Sequence, residues 1–110
     1  EIKFEKIIEP SIQELAFAKE EKRNLYLIIK EAVNNSIKYA TPTVITLQIG
    51  QKQKNKVFVQ ITDNGKGFDP ATVKRGNGLE NISLRADQIR YELHIYSSTG
   101  KGTSISLTKI

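Results

Sequence analysis

The sequence predicts an α+β two-layer sandwich, and three observations carry that prediction. Apolar residues recur at helical period in two long stretches, about 19–40 and 79–89. Five short stretches alternate or run apolar between turn residues, as strands do. Helices and strands segregate along the chain instead of alternating strictly, which favours antiparallel pairing over a doubly wound parallel sheet.

Residues 2–8 form the first strand, with Ile2, Phe4 and Lys6 alternating against Lys3, Glu5 and Ile7 before Pro10 and Ser11 break it. The first helix, from about Lys19 to Ala40, gathers Leu25, Ile28, Ile29, Ala32, Val33, Ile37 and Ala40 on one face. Thr41-Pro42 stops it, because the residue before a proline is pushed out of helical geometry. Strands follow at 43–49 and 56–62, with the polar segment Gly50 to Asn55 between them as a hairpin turn. A Gly/Asn/Asp/Pro-rich stretch runs from Asp63 to Gly78. The second helix carries Leu79, Ile82, Ala86 and Ile89, and strands at 91–97 and 103–108 close the chain around Thr99-Gly100-Lys101-Gly102.

The 110 residues, 38% hydrophobic, suffice for one ordinary domain with its own core. Having no cysteine and one histidine, the chain has neither a disulfide framework nor a thiolate or histidine-rich metal site. No apolar run approaches the roughly 20 residues of a membrane span. A start at Glu1 and the lack of methionine suggest a fragment of a larger protein, expected in the cytoplasm and attached to a membrane only through segments of its parent. The net charge of +5 reads first as a solvated surface, since Lys52, Lys54, Lys56 and Lys66 scatter over expected loops.

Four places carry candidate chemistry. On the first helix, Glu31, Asn35 and Lys38 fall within a sector of roughly 60°, beside the apolar face. Asn35 offers Mg²⁺ a neutral carbonyl oxygen, Glu31 a carboxylate for the ion's waters or a proton, and Lys38 a charge for phosphate. An ordinary exposed stripe would look the same. Asp63-Asn64-Gly65-Lys66-Gly67-Phe68 follows a strand. Asp63 stands where a carboxylate can accept a hydrogen bond from an exocyclic amine, and Gly65 and Gly67 allow positive φ and close approach. Asn-Gly also signals a plain hairpin, although the second glycine and the lack of an immediate strand count against one. Gly76-Asn77-Gly78-Leu79 opens the second helix, where backbone N–H groups favour an anion; capping by Asn77 is the simpler reading. Gly100-Lys101-Gly102-Thr103 is either a tight turn or a ligand contact through Thr103.

Taken in order, these elements resemble the GHKL ATPases and, within them, the sensor histidine kinases. Glu31-Ala-Val-Asn-Asn35-Ser-Ile-Lys38-Tyr39-Ala is similar to the family's N box, Asp63 to Phe68 to its G1 box, Gly76 to Leu79 to its G2 box, and Gly100 to Thr103 to its last glycine–threonine element. The phrases around Asn35 and from Gly78 to Ala86 resemble kinases that pair with LuxR-type response regulators. The resemblance implies the Bergerat fold, a mixed and largely antiparallel sheet with helices on one face and a lid at about 69–75. It implies ATP and Mg²⁺ as ligands. Asp63 would bind the adenine amino group, with Gly65, Gly67 and Thr103 in support, and Tyr39 would pack on the base. Asn35 would hold Mg²⁺, while Gly76, Gly78 and Leu79 would receive the phosphates.

The implied partners are a histidine-bearing dimerisation domain of the same protein and, through the whole kinase, a response regulator; the fragment alone would be a monomer. The phosphoacceptor helix is missing from this sequence, and His94, in a strand between Leu93 and Ile95, reads as structural. An anti-sigma-factor serine kinase of the same superfamily is the alternative. A nucleic-acid module would need aromatic residues interleaved with lysines on a strand face, where this chain has Phe58 alone.

Overall fold

The structure, a computed structural model, describes residues 1–67 and 78–110. Strand β1 (Lys3–Ile8) leads through a 3₁₀ turn (Pro10–Glu14) to helix α1 (Lys19–Asn35), whose last turn widens to π geometry over Ser36–Ala40. Strands β2 (Val44–Gln53) and β3 (Lys56–Asp63), helix α2 (Leu79–Gln88), and strands β4 (Tyr91–Ser98) and β5 (Gly102–Lys109) follow. The five strands form one sheet in the order β1-β2-β3-β5-β4. β1 pairs with β2 in parallel and the other neighbours are antiparallel, so the sheet is mixed and mainly antiparallel as expected.

That order dictates where the helices go. β3 and β4 each pair antiparallel with β5 and so run the same way, which requires a long crossover rather than a tight turn. α2 lies on that crossover. Burial alternates along β3, with Val57, Val59, Ile61 and Asp63 facing inward. Cross-strand pairing extends that face through Ile45, Ile105 and Leu107. Against it pack Leu25, Ile28 and Ala32 of α1 and Ile82 and Ala86 of α2. The other face carries Gln60, Thr62, Ser104 and Ser106, and meets no described helix. An antiparallel sheet with one packed and one solvated face has this alternation.

Two expectations need correction. The β2–β3 connection is not the six-residue turn from Gly50 to Asn55. β2 continues to Gln53, past an irregularity between Gln51 and Gln53, and the chain reverses at Lys54-Asn55 with Asn55 at φ 64°. A short polar side chain tolerates that left-handed geometry, so a polar run concealed the last four residues of β2. The first helix is also not uniform to Ala40, because its final turn is wider than 3.6 residues. Thr41 then caps it at φ 45° before Pro42.

A buried polar clamp closes the end of the sandwich far from Asp63. Glu21 accepts hydrogen bonds from the Tyr91 hydroxyl at 2.7 Å and the Ala18 N–H at 3.3 Å, and pairs with the Lys109 ammonium at 3.0 Å. Burial alone would raise the Glu21 pKa, but Tyr91, Lys109 and the Ala18 N–H outweigh it and hold the carboxyl below its usual range. Burial and the neighbouring carboxylate push the Tyr91 hydroxyl up, so it stays a donor at all ordinary pH. A depressed carboxyl pKa contributes stability above the unfolded value, and that contribution fades as pH falls below about 4.5 toward the folded pKa. Tyr91→Phe should cost about 1–3 kcal/mol in urea unfolding, because Glu21 stays buried with one donor fewer. Its deficit against wild type should shrink in melts taken below pH 4.

Candidate functional site

Asp63 ends the central strand and is buried, and each oxygen of its carboxylate accepts from one neutral donor. Ser36 donates its hydroxyl to Oδ2 at 2.9 Å, and the Gly65 N–H donates to Oδ1 at 2.8 Å. The first contact crosses from the π turn of α1 to the sheet, and the second curls the following loop back on the strand. Two oxygens with about four acceptor sites between them still have capacity for a further donor.

The loop after Asp63 is pinned from both sides. The Lys66 N–H bonds the Ala40 carbonyl at 2.8 Å, joining the loop to the end of the π turn. A Cβ on Gly65 would lie 2.6 Å from the Ala40 Cβ, so Gly65 permits close approach. It does not take the positive φ expected of it; Gly67 does, at 65°, with the carbonyls of Ser98 and Gly102 crowding the place of its missing side chain. At Gly102, φ 85°, a Cβ would run into the Asp63 carbonyl oxygen and lie 3.2 Å from the Asn64 Cα. Thr103 pairs with Asp63 across the sheet, and its hydroxyl meets that of Ser97 at 2.8 Å. The second and fourth sequence elements thus form one unit, held mainly backbone against backbone.

The remaining candidates lie along α1. Glu31 turns its carboxylate onto Gly78, the residue that caps α2 at φ 81°, and a Cβ there would stand 2.7 Å from the Glu31 carboxyl carbon. Among the described residues no side chain caps α2. Asn35 follows one turn after Glu31 on the same flank and is half-buried, whereas Asn34 is exposed. Leu79 opens α2 and packs partly on the core. Ser36 and Glu31 are five residues apart, so Asp63 and Gly78 are gripped about 7.5 Å apart along one helix.

Lys38 departs from the expected stripe. It lies in the π turn and is exposed, and wider winding rotates it away from the register that aligned it with Glu31 and Asn35. Tyr39 is 55% exposed in the same turn, leaving its ring uncovered. Gly76, Phe68 and the expected lid at 69–75 lie outside the described residues. His94 projects from the open face of the sheet, 2.6 Å from Glu92 and stacked on Tyr96. Ser106, its partner across the strands, shares that face, opposite the core.

The family model described as histidine kinase-, DNA gyrase B-, and HSP90-like ATPase matches residues 20–109. The chain belongs to that family. It is 33% identical over 101 residues to the sensor histidine kinase LiaS of Bacillus subtilis, covering 91% of this chain and 28% of that protein. It is 38% identical over 88 residues to the Bacillus subtilis sensor histidine kinase YdfH, covering 77% of this chain and 22% of the relative. The chain therefore spans about a quarter of these relatives. Among solved structures, the blue-light activated histidine kinase of Erythrobacter litoralis EL346 superposes with a TM-score of 0.83. That match covers 98% of this chain and 35% of the other at 16% identity, a likeness of fold.

Within this ATPase fold, two structural partners escaped sequence reasoning. Ser36 sits inside the same phrase as Asn35, and its inward place one residue after Asn35 is the sequence signal for its bond to Asp63. Asn64 accepts the Thr43 and Val44 N–H groups, both at 2.9 Å, and donates to the Thr43 hydroxyl at 2.7 Å, so it fastens the start of β2 and forms no hairpin. Replacing Gly67 by Ala should cost at least about 1–2 kcal/mol, since a Cβ at positive φ is strained and would also meet two carbonyls. Thermal melts should show that loss, whereas Gly100→Ala, with open space at its tip, should lose only the cost of its φ.

Proposed function

We propose that this domain binds ATP together with Mg²⁺ and presents the γ-phosphate to a histidine on a separate helical domain of a longer sensor kinase. The observation that carries the proposal is the double grip of α1. One end holds a buried carboxylate, Asp63, with acceptor capacity left over, and the other meets Gly78, a helix start that no described side chain caps. A carboxylate suits an exocyclic amine and a helix start suits phosphate, so a nucleotide laid along α1 finds a matching group at each end. The family ties this fold to ATP. Gly65, Gly67 and Thr103 shape the base end, Tyr39 offers a free ring for stacking, and Gly76, Gly78 and Leu79 form the phosphate end.

The residues present fit the ion. The Asn35 amide oxygen and the Glu31 carboxylate are hard oxygen donors on one flank of α1, where the phosphates would add more. When bound, Mg²⁺ neutralises phosphate charge and aligns the transferring group. Lys38, rotated outward by the π turn, suits a phosphate or a partner approaching from solvent. The chain's own work is positioning, which accounts for most of phosphoryl transfer.

The partners proposed are the histidine-bearing dimerisation domain and, through the whole kinase, a response regulator, which for this type would belong to the LuxR family. The domain would act in the cytoplasm as a monomer when isolated. No described helix is long and apolar enough to cross a membrane.

Asp63→Asn should weaken ATP at least tenfold in calorimetry while melting within a few degrees of wild type, since the amide keeps the shape and loses an acceptor. Equal affinities would remove Asp63 from base recognition. Asn35→Ala should lose the Mg²⁺-dependent part of ATP affinity and Asn34→Ala should keep it; the reverse would move the ion to the other side of α1. The domain alone, given labelled ATP, should gain no acid-labile phosphate until the histidine-bearing helices are added. Label on His94, abolished in His94→Gln, would contradict this arrangement.

A further inference from the structure

We propose that the open face of the sheet holds a second ligand site, a hollow between the β2–β3 end and β4 that takes a small multivalent oxyanion, phosphate or polycarboxylate in kind. The inference stands apart from the nucleotide assignment above. Lys56 opens β3 and Asp63 ends it, so the two sites are about 23 Å apart at a rise of roughly 3.3 Å per residue.

The hollow has a volume of about 350 Å³, at the lower end of small-ligand sites. Ser106 and Thr108 of β5 form its floor, with hydroxyls that can donate. Glu92, His94 and Tyr96, every second residue of β4, form one wall. The His94 ring is fixed on both sides. Its Nε2 donates to Glu92 at 2.6 Å, and the ring stacks on Tyr96 with centroids 6.1 Å apart. Lys52 and Lys56 form the opposite wall. Both belong to strands and not to the turn where the sequence placed them. Lys52 sits at the irregularity between Gln51 and Gln53, and a bulge of that kind re-aims a side chain.

Charge decides what the hollow can hold. Lys109, a third lysine on its rim, is engaged by Glu21 at 3.0 Å. Glu92, its one lining acidic residue, is engaged by His94. No described carboxylate pairs with Lys52 or Lys56, although Glu92 lines the same hollow. Two ammonium groups therefore face a hydroxyl floor without a counter-charge, and an anion between them would remove their mutual repulsion. An oxyanion accepts from ammonium and hydroxyl alike, which a cation cannot do. Ile110 is the one aliphatic lining residue, so an apolar ligand would find little to cover it. Lys54, at the reversal between the other two lysines, does not line the hollow and is an ordinary solvated charge.

His94 is the chain's one histidine, so its ring protons give a resolved NMR reporter inside the hollow. The test titrates inorganic phosphate and citrate into the 110-residue chain at fixed pH and ionic strength, with chloride as the balancing salt. At least one of the two should move the His94 signals saturably, with half-effect at about 1–10 mM, the range of a small anion held by a few charged contacts. Replacing both Lys52→Gln and Lys56→Gln should weaken that binding at least about fivefold, since charge-assisted bonds are the strong ones. Lys54→Gln removes the same charge from the same end and should change it less than about twofold, because solvent and salt screen a charge outside the hollow. His94 signals that neither anion saturates would overturn the proposal. Equal weakening by Lys54→Gln would overturn it too, by reducing the effect to net charge at that end. The readout involves no nucleotide, so this site and the nucleotide assignment stand or fall separately.

Discussion

The hydrogen bond from the Ser36 hydroxyl to the Asp63 carboxylate is the contact on which the site depends. It joins the last residue of the central strand to the first residue of the π turn, over a separation of 27 residues. Because Asp63 is buried, losing that donor would leave a charge poorly solvated in the interior, a loss costly enough to fix where α1 ends over the sheet. From that fixed point the loop back to Ala40 and the pairing of Thr103 follow. The wide winding of Ser36–Ala40 is then understandable, since single π turns inside helices often occur at functional sites. Here the extra width turns Ser36 inward while leaving Ile37, Lys38 and Tyr39 exposed in succession.

Glycine supplies the second constraint. Gly65 against Ala40, Gly67 against Ser98 and Gly102, and Gly102 against Asp63 are places where two backbones pass with no room for a Cβ. Packing of this kind draws the loop after β3 and the β4–β5 turn into one surface, which the pairing of β3 with β5 alone would not do. It also explains why the site carries few side chains. The flat base of the proposed nucleotide would meet mainly peptide groups there, with Asp63 as the one carboxylate.

Much of the fold was legible because its signals were periodic. Leu25, Ile28 and Ala32 declared the buried face of α1, Ile82 and Ala86 that of α2, and Val57, Val59 and Ile61 the inner face of β3. The order of the four glycine- and asparagine-bearing elements made the family legible too. What escaped had no period to announce it. Tyr91 in the core and Glu21 beside it are joined by a contact across 70 residues, and neither residue's neighbours in sequence hint at the other. The π turn was invisible because one added residue in a helical repeat changes no residue type, so Lys38 was placed on a wheel that the chain had already left. Asn-Gly left a hairpin open at Asn64, whereas its amide is used on Thr43 and Val44 at the start of the neighbouring strand β2.

The electrostatics of α1 divide the two ends of the site more sharply than the overall charge of +5 would suggest. Asp63 is satisfied by a hydroxyl and a peptide N–H, both neutral, so its charge stays available to attract one more donor. Glu31 meets the positive end of a helix, a diffuse partial charge. Neither carboxylate has a described lysine or arginine as its partner, although the chain carries 17 basic residues and spends Lys109 on Glu21 at the far end.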